Sequence, residues 1–106
     1  MPLKTILALT DFSTASEHSL ERAAQLAVEH QAELRILYAA EQPDRKFLDP
    51  LARLQQRARQ LGRRHDLTVQ ALSHSDSVLN DALEHAKDAD LLVLDQRLHR
   101  HLLKFW

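Results

Sequence analysis

Cysteine is missing from this 106-residue sequence, while glycine occurs once and proline three times. Without cysteine the chain cannot form disulfides, use a thiolate as a nucleophile or bind a metal through sulfur. With Gly62 as its single glycine, it also has no glycine-rich loop of the kind that surrounds phosphates. The composition therefore excludes a disulfide scaffold, a thiol enzyme and a classical P-loop.

A strong charge of one sign and a long apolar run are also missing. The formal net charge is -1, with acidic and basic residues interspersed, which argues against nucleic acid or an anionic membrane as partner. No stretch approaches the roughly 18 apolar residues of a membrane span, and the apolar run that ends at Asp11 is too short for a signal peptide. We expect a cytoplasmic protein with one domain over residues 1–106, a core at about 3–95 and an apolar, basic tail at 96–106.

The apolar pattern predicts four strands and three helices in alternation. Continuous apolar runs at residues 5–10 and 91–94 predict strands covered on both faces. Residues 34–40 predict a second strand, and the alternating segment 67–72 predicts a half-exposed strand at a sheet edge. Helical spacing predicts helices at about 15–30, 50–65 and 78–86.

Each predicted helix has a candidate residue at its start. Thr14 stands three residues before Glu17, which is a capping-box arrangement. Asp49 precedes Pro50 as an N-cap, and either Ser75 or Asp76 could cap the third helix.

This alternation predicts an α/β fold, a doubly wound parallel sheet with helices on both faces. With the two most apolar strands adjacent and the alternating strand at an edge, the strand order is 3-2-1-4. Ligands bind such sheets outside the carboxyl ends of the strands at the switch point, here between the first and fourth strands. Thr10-Asp11 and Leu94-Asp95 flank that crevice, where Asp11 is either a ligand contact or an acceptor for backbone donors of the turn.

No catalytic or metal site is predicted. Asp11 and Asp95 are too few ligands for an oxygen-type metal site, and His99 and His101 have no obvious third partner. Ser13 has no nearby histidine base. The arginine-rich face of the second helix is interpreted as solvated, in preference to a surface for RNA or acidic partners.

Four segments in order resemble universal stress protein domains. They are residues 4–13 (KTILALTDFS), 20–27 (LERAAQLA), 32–38 (AELRILY) and 89–94 (ADLLVL). The resemblance covers residues 3–95 and implies the adenine-nucleotide alpha-hydrolase-like fold. In the ATP-binding branch of that family, the matching positions surround adenine and ribose, and here they are Leu9, Thr10, Asp11, Ala39 and Leu94.

The sequence departs from the family's phosphate-binding glycines. Asp95 and Leu98 occupy the first two glycine positions, and the third would fall beyond Trp106. Neither side chain allows the close backbone approach that glycine gives, and the carboxylate of Asp95 would repel phosphates. Asp95 and Arg97 complete the predicted ligand-binding set. The strand that usually follows, and that builds the family's dimer interface, is missing, so we expect either a divergent member or one shortened at its C-terminus.

The resemblance implies a binding or regulatory module of the stress response, with weak or no ATP binding. ATP or AMP is the cofactor it suggests, and a homodimer is the assembly. One alternative is a slow ATPase, for which Arg97 and Arg100 are the candidate charge-stabilising groups. Another is a structural half-domain, completed by a second chain at the open edge of the fourth strand.

Overall fold

The computed structural model of the chain describes residues 3–40, 49–72 and 78–103. Strands and helices alternate as predicted, and a fourth helix follows the last strand. The elements are β1 (Thr5–Thr10), α1 (Thr14–His30), β2 (Glu33–Tyr38), α2 (Pro50–His65), β3 (Val69–Leu72), α3 (Val78–Ala86), β4 (Leu91–Val93) and α4 (Gln96–Leu103). No helix within these residues is both long and apolar enough to cross a membrane.

The sheet has four parallel strands in the order β3-β2-β1-β4, which confirms the predicted topology. Ile6 in β1 lies opposite Leu34 in β2 on one side and Leu91 in β4 on the other. The continuous apolar run of β1 is explained by this position, because a central strand is covered on both faces. The alternating strand β3 is at the edge, although it begins at Val69, two residues later than predicted.

Helices cover both faces of the sheet and create two apolar cores. On one face, side chains of α1 and α2 pack against β1 and β2, with Leu20, Ala24, Leu54, Leu61, Ile6 and Ile36 among the buried residues. On the other face, α3 and α4 contribute Ala82 and Leu98, which pack near Leu7, Leu9 and Leu37. Leu98 is only 2% exposed, so the first part of the tail belongs to the folded core.

The ends of the helices confirm one prediction and correct another. Asp49 caps α2, since its carboxylate accepts a hydrogen bond from the N–H of Ala52 at 3.0 Å. The cap of α1 is Ser13 and not Thr14, because the hydroxyl of Ser13 accepts from the N–H of Ser16. The predicted caps of α3, Ser75 and Asp76, lie outside the described residues. Gly62 allows a close approach near the end of α2, where a Cβ would meet the carbonyl of Leu67 at 3.1 Å.

A cluster of charges joins α1 to α2. Glu21 accepts hydrogen bonds from Arg57 and Arg64, each at 3.2 Å, and lies 3.0 Å from Nε2 of His65. Burial by itself would raise the pKa of Glu21, but the hydrogen bond with His65 and the neighbouring positive charges outweigh it and hold the pKa below 4.5. Part of the arginine-rich face predicted to be solvated is therefore an ion-pair network between helices.

Replacing Glu21 tests this network. We expect Glu21→Gln to lower the free energy of unfolding by about 1 kcal/mol at neutral pH, because one carboxylate serves three partners. A carboxyl with a lowered pKa stabilises the fold above its unfolded value and loses that contribution as pH falls. The difference between the two proteins should therefore shrink below pH 4.5, as measured by urea denaturation across pH.

The matched control is Glu84→Gln. Glu84 pairs with Lys87 on the surface, where the two side chains are 73% and 70% exposed. Its replacement should change the free energy of unfolding by less than about 0.5 kcal/mol. An equal effect of the two substitutions would contradict a special role for Glu21.

Candidate functional site

The carboxyl ends of β1, β2 and β4 bring the predicted residues together. Thr10 ends β1, and its carbonyl accepts a hydrogen bond from the N–H of Ala39, just after β2, at 2.8 Å. Ala39 belongs to the same apolar cluster as Leu9 and Leu94. Asp11 and Asp95 follow β1 and β4, so the two aspartates meet at the switch point between these strands, which we call the crevice.

The turn after β1 satisfies its backbone donors with its own side chains. Thr10 Oγ1 accepts from the N–H of Phe12 at 3.0 Å, and Asp11 Oδ1 accepts from the N–H of Ser13 at 3.0 Å. One oxygen of Asp11 therefore accepts a hydrogen bond from the backbone of the turn, which is one of the two roles predicted for this residue. Its second oxygen, Oδ2, takes part in a different contact, with Arg97.

Phe12 lies in this turn with a φ of 67°, a left-handed conformation that is uncommon for a bulky residue. Its ring stacks on Tyr38 with centroids 5.2 Å apart, and the guanidinium of Arg53 lies 4.6 Å from its centroid. Aromatic and cation–π contacts of this kind contribute about 1 kcal/mol each, which helps to offset the backbone cost. The stack thus anchors the turn beside Asp11 to β2 and α2.

Ser16, in the first turn of α1, connects the two aspartates. Its hydroxyl oxygen lies 2.8 Å from Asp11 Oδ1 and 2.7 Å from Asp95 Oδ2, and the residue is fully buried. A hydroxyl has one proton and can donate to only one acceptor at a time. The two carboxylates therefore share a single donor, and Ser16 links the β1–α1 turn to the start of α4.

Asp95 is the N-cap of α4. Its Oδ1 accepts hydrogen bonds from the N–H groups of Arg97 at 2.8 Å and Leu98 at 3.1 Å. These are among the donors that a helix leaves free at its first turn. The cap explains why a helix forms where only an apolar, basic tail was predicted.

Arg97 reaches back across the crevice from α4. Its Nη2 donates to Asp11 Oδ2 at 2.8 Å and to Ser13 Oγ at 2.7 Å, while its Nε lies 3.7 Å from Asp95 Oδ1. The side chain is 52% exposed, so this contact lies at the mouth of the crevice. Arg97 thus covers the oxygen of Asp11 that the turn leaves unused.

Asp11 is held in its ionised form. Burial would raise its pKa, but hydrogen bonds from Ser13 and Ser16, together with the charge of Arg97, outweigh burial and lower the pKa below 3.8. At neutral pH the carboxylate is an acceptor only, so it suits a ligand that brings hydroxyl or amine donors.

Ser13 and Ser16 are not among the predicted site residues. One signal in the sequence could have indicated Ser16: it lies four residues before Leu20, on the apolar stripe of α1, where a polar side chain needs a partner. Ser13 has no comparable signal, because a serine before a helix is already explained as a cap. Within the described residues, no three histidines, aspartates or glutamates come close enough to hold a metal ion.

Solved structures with the same fold are universal stress proteins. One from Archaeoglobus fulgidus matches with a TM-score of 0.70 and 16% identity over 94% of this chain and 85% of that one. One from Burkholderia pseudomallei matches with a TM-score of 0.67 and 20% identity over 96% and 89%. A third, solved in complex with cAMP, matches with a TM-score of 0.65 and 22% identity over 87% and 72%. At these identities the likeness shows the fold.

The family is shown by the sequence itself. The model of the universal stress protein family matches residues 2–106, nearly the whole chain. The chain therefore belongs to the universal stress protein family, as the resemblance of its four segments predicts. No curated protein matches it.

Removing the Ser16 hydroxyl tests the link between the aspartates. We expect Ser16→Ala to lower the free energy of unfolding by about 1–2 kcal/mol, because it removes the single donor that the two carboxylates share. Chemical denaturation at neutral pH measures the change.

Ser19→Ala, in the same helix, is the control. The Ser19 hydroxyl donates to the carbonyl of Ala15 at 3.4 Å and makes no described contact with the aspartates. Its loss should change the free energy of unfolding by less than about 0.5 kcal/mol. If Ser16→Ala changes the free energy of unfolding as little as Ser19→Ala does, the Ser16 hydroxyl does not link the β1–α1 turn to the start of α4.

Proposed function

We propose that this protein is a regulatory binding module of the stress response that takes an adenine-containing ligand in the crevice between β1 and β4. Membership of the universal stress protein family supports the stress-response role. A structural relative solved with cAMP supports the adenine ligand. The observation that carries the proposal is the position of Asp11 directly after β1, at the end of the sheet where Leu9, Ala39 and Leu94 belong to one apolar cluster.

Asp11 is the proposed ribose contact. Its carboxylate is ionised and accepts hydrogen bonds, which matches the hydroxyl donors of a ribose. Ligand pockets combine an apolar surface with a few placed polar groups. Leu9 and Ala39 are buried, so Leu94, which is half-buried, is the one of these three side chains that would contact the base. A ribose that reaches Asp11 Oδ2 exchanges with Arg97, so ligand and arginine compete for one oxygen.

The proposed affinity for ATP is weak. Leu98, at a glycine position of the family motif, is buried in the core, and its N–H is already bonded to Asp95. The backbone there cannot wrap around a phosphate without breaking that packing. ATP binding is therefore not the property on which the proposed role depends.

The partners of Arg97 and Arg100 favour a regulatory role over slow ATPase activity. Arg97 is paired with Asp11, and the Nε of Arg100 donates to the carbonyl of Gln96 at 3.4 Å. An ATPase needs such groups directed at the phosphates, where negative charge develops. We place the protein in the cytoplasm as part of the same proposal.

A second proposal concerns assembly. β4 pairs with β1 on one edge, and no strand in the described part of the chain pairs with its other edge. Leu91, Leu92 and Val93 are each partly exposed there. We propose a homodimer formed across this edge, because an exposed apolar edge strand is a template for pairing. Light scattering that finds only monomer at micromolar concentration would count against it.

Replacing Asp11 tests the ligand. We expect adenosine to bind the wild-type protein and Asp11→Ala to weaken that binding by about ten-fold or more, since hydrogen bonds to a charged acceptor contribute about 1.5–3 kcal/mol. Isothermal titration calorimetry measures the affinity, and circular dichroism confirms that the variant is folded.

The control is Asp88→Ala, at an exposed aspartate in the turn after α3. It removes a carboxylate of the same kind that lies before β4, at the opposite end of the strand from the crevice, so the affinity should not change. Equal binding by the wild type and Asp11→Ala would show that the ligand does not use Asp11.

A further inference from the structure

The start of α4 already holds an anion that belongs to the protein. Helix N-termini attract anions because their first N–H groups are free and the helix dipole is positive there. In this chain Asp95 supplies the anion, with Oδ1 on the N–H groups of Arg97 and Leu98. We propose that Asp95 acts as an internal substitute for a phosphate group and makes the crevice select uncharged nucleosides over their phosphate esters; the nucleoside part rests on the function proposed above.

Three donors lie against the Asp95 carboxylate. Two N–H groups of the α4 backbone donate to Oδ1, and the buried Ser16 hydroxyl, whose proton Asp95 shares with Asp11, lies 2.7 Å from Oδ2. The Asp95 side chain is only 6% exposed. A phosphate that entered this position would have to displace the carboxylate from all three partners and leave a buried charge without them.

The charges of the crevice oppose a phosphate as well. Among the described residues, the charged groups in mutual contact there are Asp11, Asp95 and Arg97, two negative and one positive. A phosphate that drew Arg97 away would leave the two carboxylates facing one another across Ser16. Their repulsion, in a partly buried site, adds to the cost of placing the phosphate.

An uncharged nucleoside neither displaces the Asp95 carboxylate nor brings a negative charge beside the two aspartates. Its ribose hydroxyls donate to the Oδ2 of Asp11 in place of Arg97, and Asp95 keeps all its hydrogen bonds. Arg97, whose Nε lies 3.7 Å from Asp95, then stays beside a carboxylate. The geometry therefore favours adenosine, then AMP, then ATP, in order of increasing negative charge.

Titration calorimetry with adenosine, AMP and ATP tests this order on three proteins. The wild type should bind adenosine at least about ten-fold more tightly than ATP. Asp95→Asn keeps an N-cap acceptor without the charge, so the preference should shrink. Asp95→Gly also frees the two N–H groups, so it should bring the largest gain in ATP affinity. Wild-type protein that binds ATP as tightly as adenosine would overturn the proposal, as would a preference unchanged in both variants.

Inorganic phosphate gives a readout that needs no nucleoside. Phosphate should raise the melting temperature of Asp95→Gly more than that of the wild type or of Asp88→Gly, which removes an exposed aspartate. If no protein binds adenosine but this difference appears, the adenine function fails while the internal anion stands. If phosphate affects all three proteins alike, Asp95 does not occupy an anion site. Should Asp95→Gly not fold, the same comparison is made with Asp95→Asn, with a smaller shift expected.

Discussion

The hydrogen bond between Ser16 and Asp95 joins α1, the first helix, to the start of α4, the last described helix. Asp95 starts α4, and Ser16 belongs to α1, on the opposite face of the sheet. Since β4 has only three residues paired with β1, the position of α4 depends strongly on what holds its first turn. The Asp95 carboxylate holds this turn, because one of its oxygens accepts hydrogen bonds from the α4 backbone and the other contacts the Ser16 hydroxyl.

The same contacts occupy the proposed ligand site. In a doubly wound sheet, the switch point is open because neighbouring strands send their chains in opposite directions. Here Asp95 and Arg97 lie across that opening, and Arg97 is bonded to Asp11 and Ser13. The crevice thus keeps the family's acidic turn after β1, but its opposite wall is a carboxylate and an arginine instead of a glycine loop.

The order of the sheet could be predicted from the sequence, and so could the meeting of Asp11 and Asp95 at its edge. The apolar run of β1 indicates a central strand, whereas β4, predicted to be covered on both faces, lies at the edge and is only partly buried. The carboxyl ends of parallel strands lie at the same edge of a sheet, which brings Asp11 and Asp95 together. The roles of Ser16 and Arg97 could not be predicted, because their partners are far away in the chain and depend on side-chain geometry. The same holds for α4, whose start needs the Asp95 cap and whose packing needs Leu98 against the α3 side of the sheet. Thr14 was the wrong cap for α1, since serines and threonines at neighbouring positions carry the same local signal.

In the mechanism we propose, stability and ligand choice are coupled. Every hydrogen bond that Asp95 makes to close the anion position also stabilises the first turn of α4 or its link to α1. A substitution that opens the position to phosphate therefore weakens the fold, and a phosphorylated ligand has to compensate for that loss before any net affinity appears. In the proposed binding mode, adenosine needs only to exchange with Arg97, whose side chain is half exposed and would regain water when displaced. A phosphate ester must break the hydrogen bonds of Asp95, whereas adenosine must break only those of Arg97. This difference, and not the size of the crevice, is the physical basis for expecting the protein to prefer nucleosides to their phosphate esters.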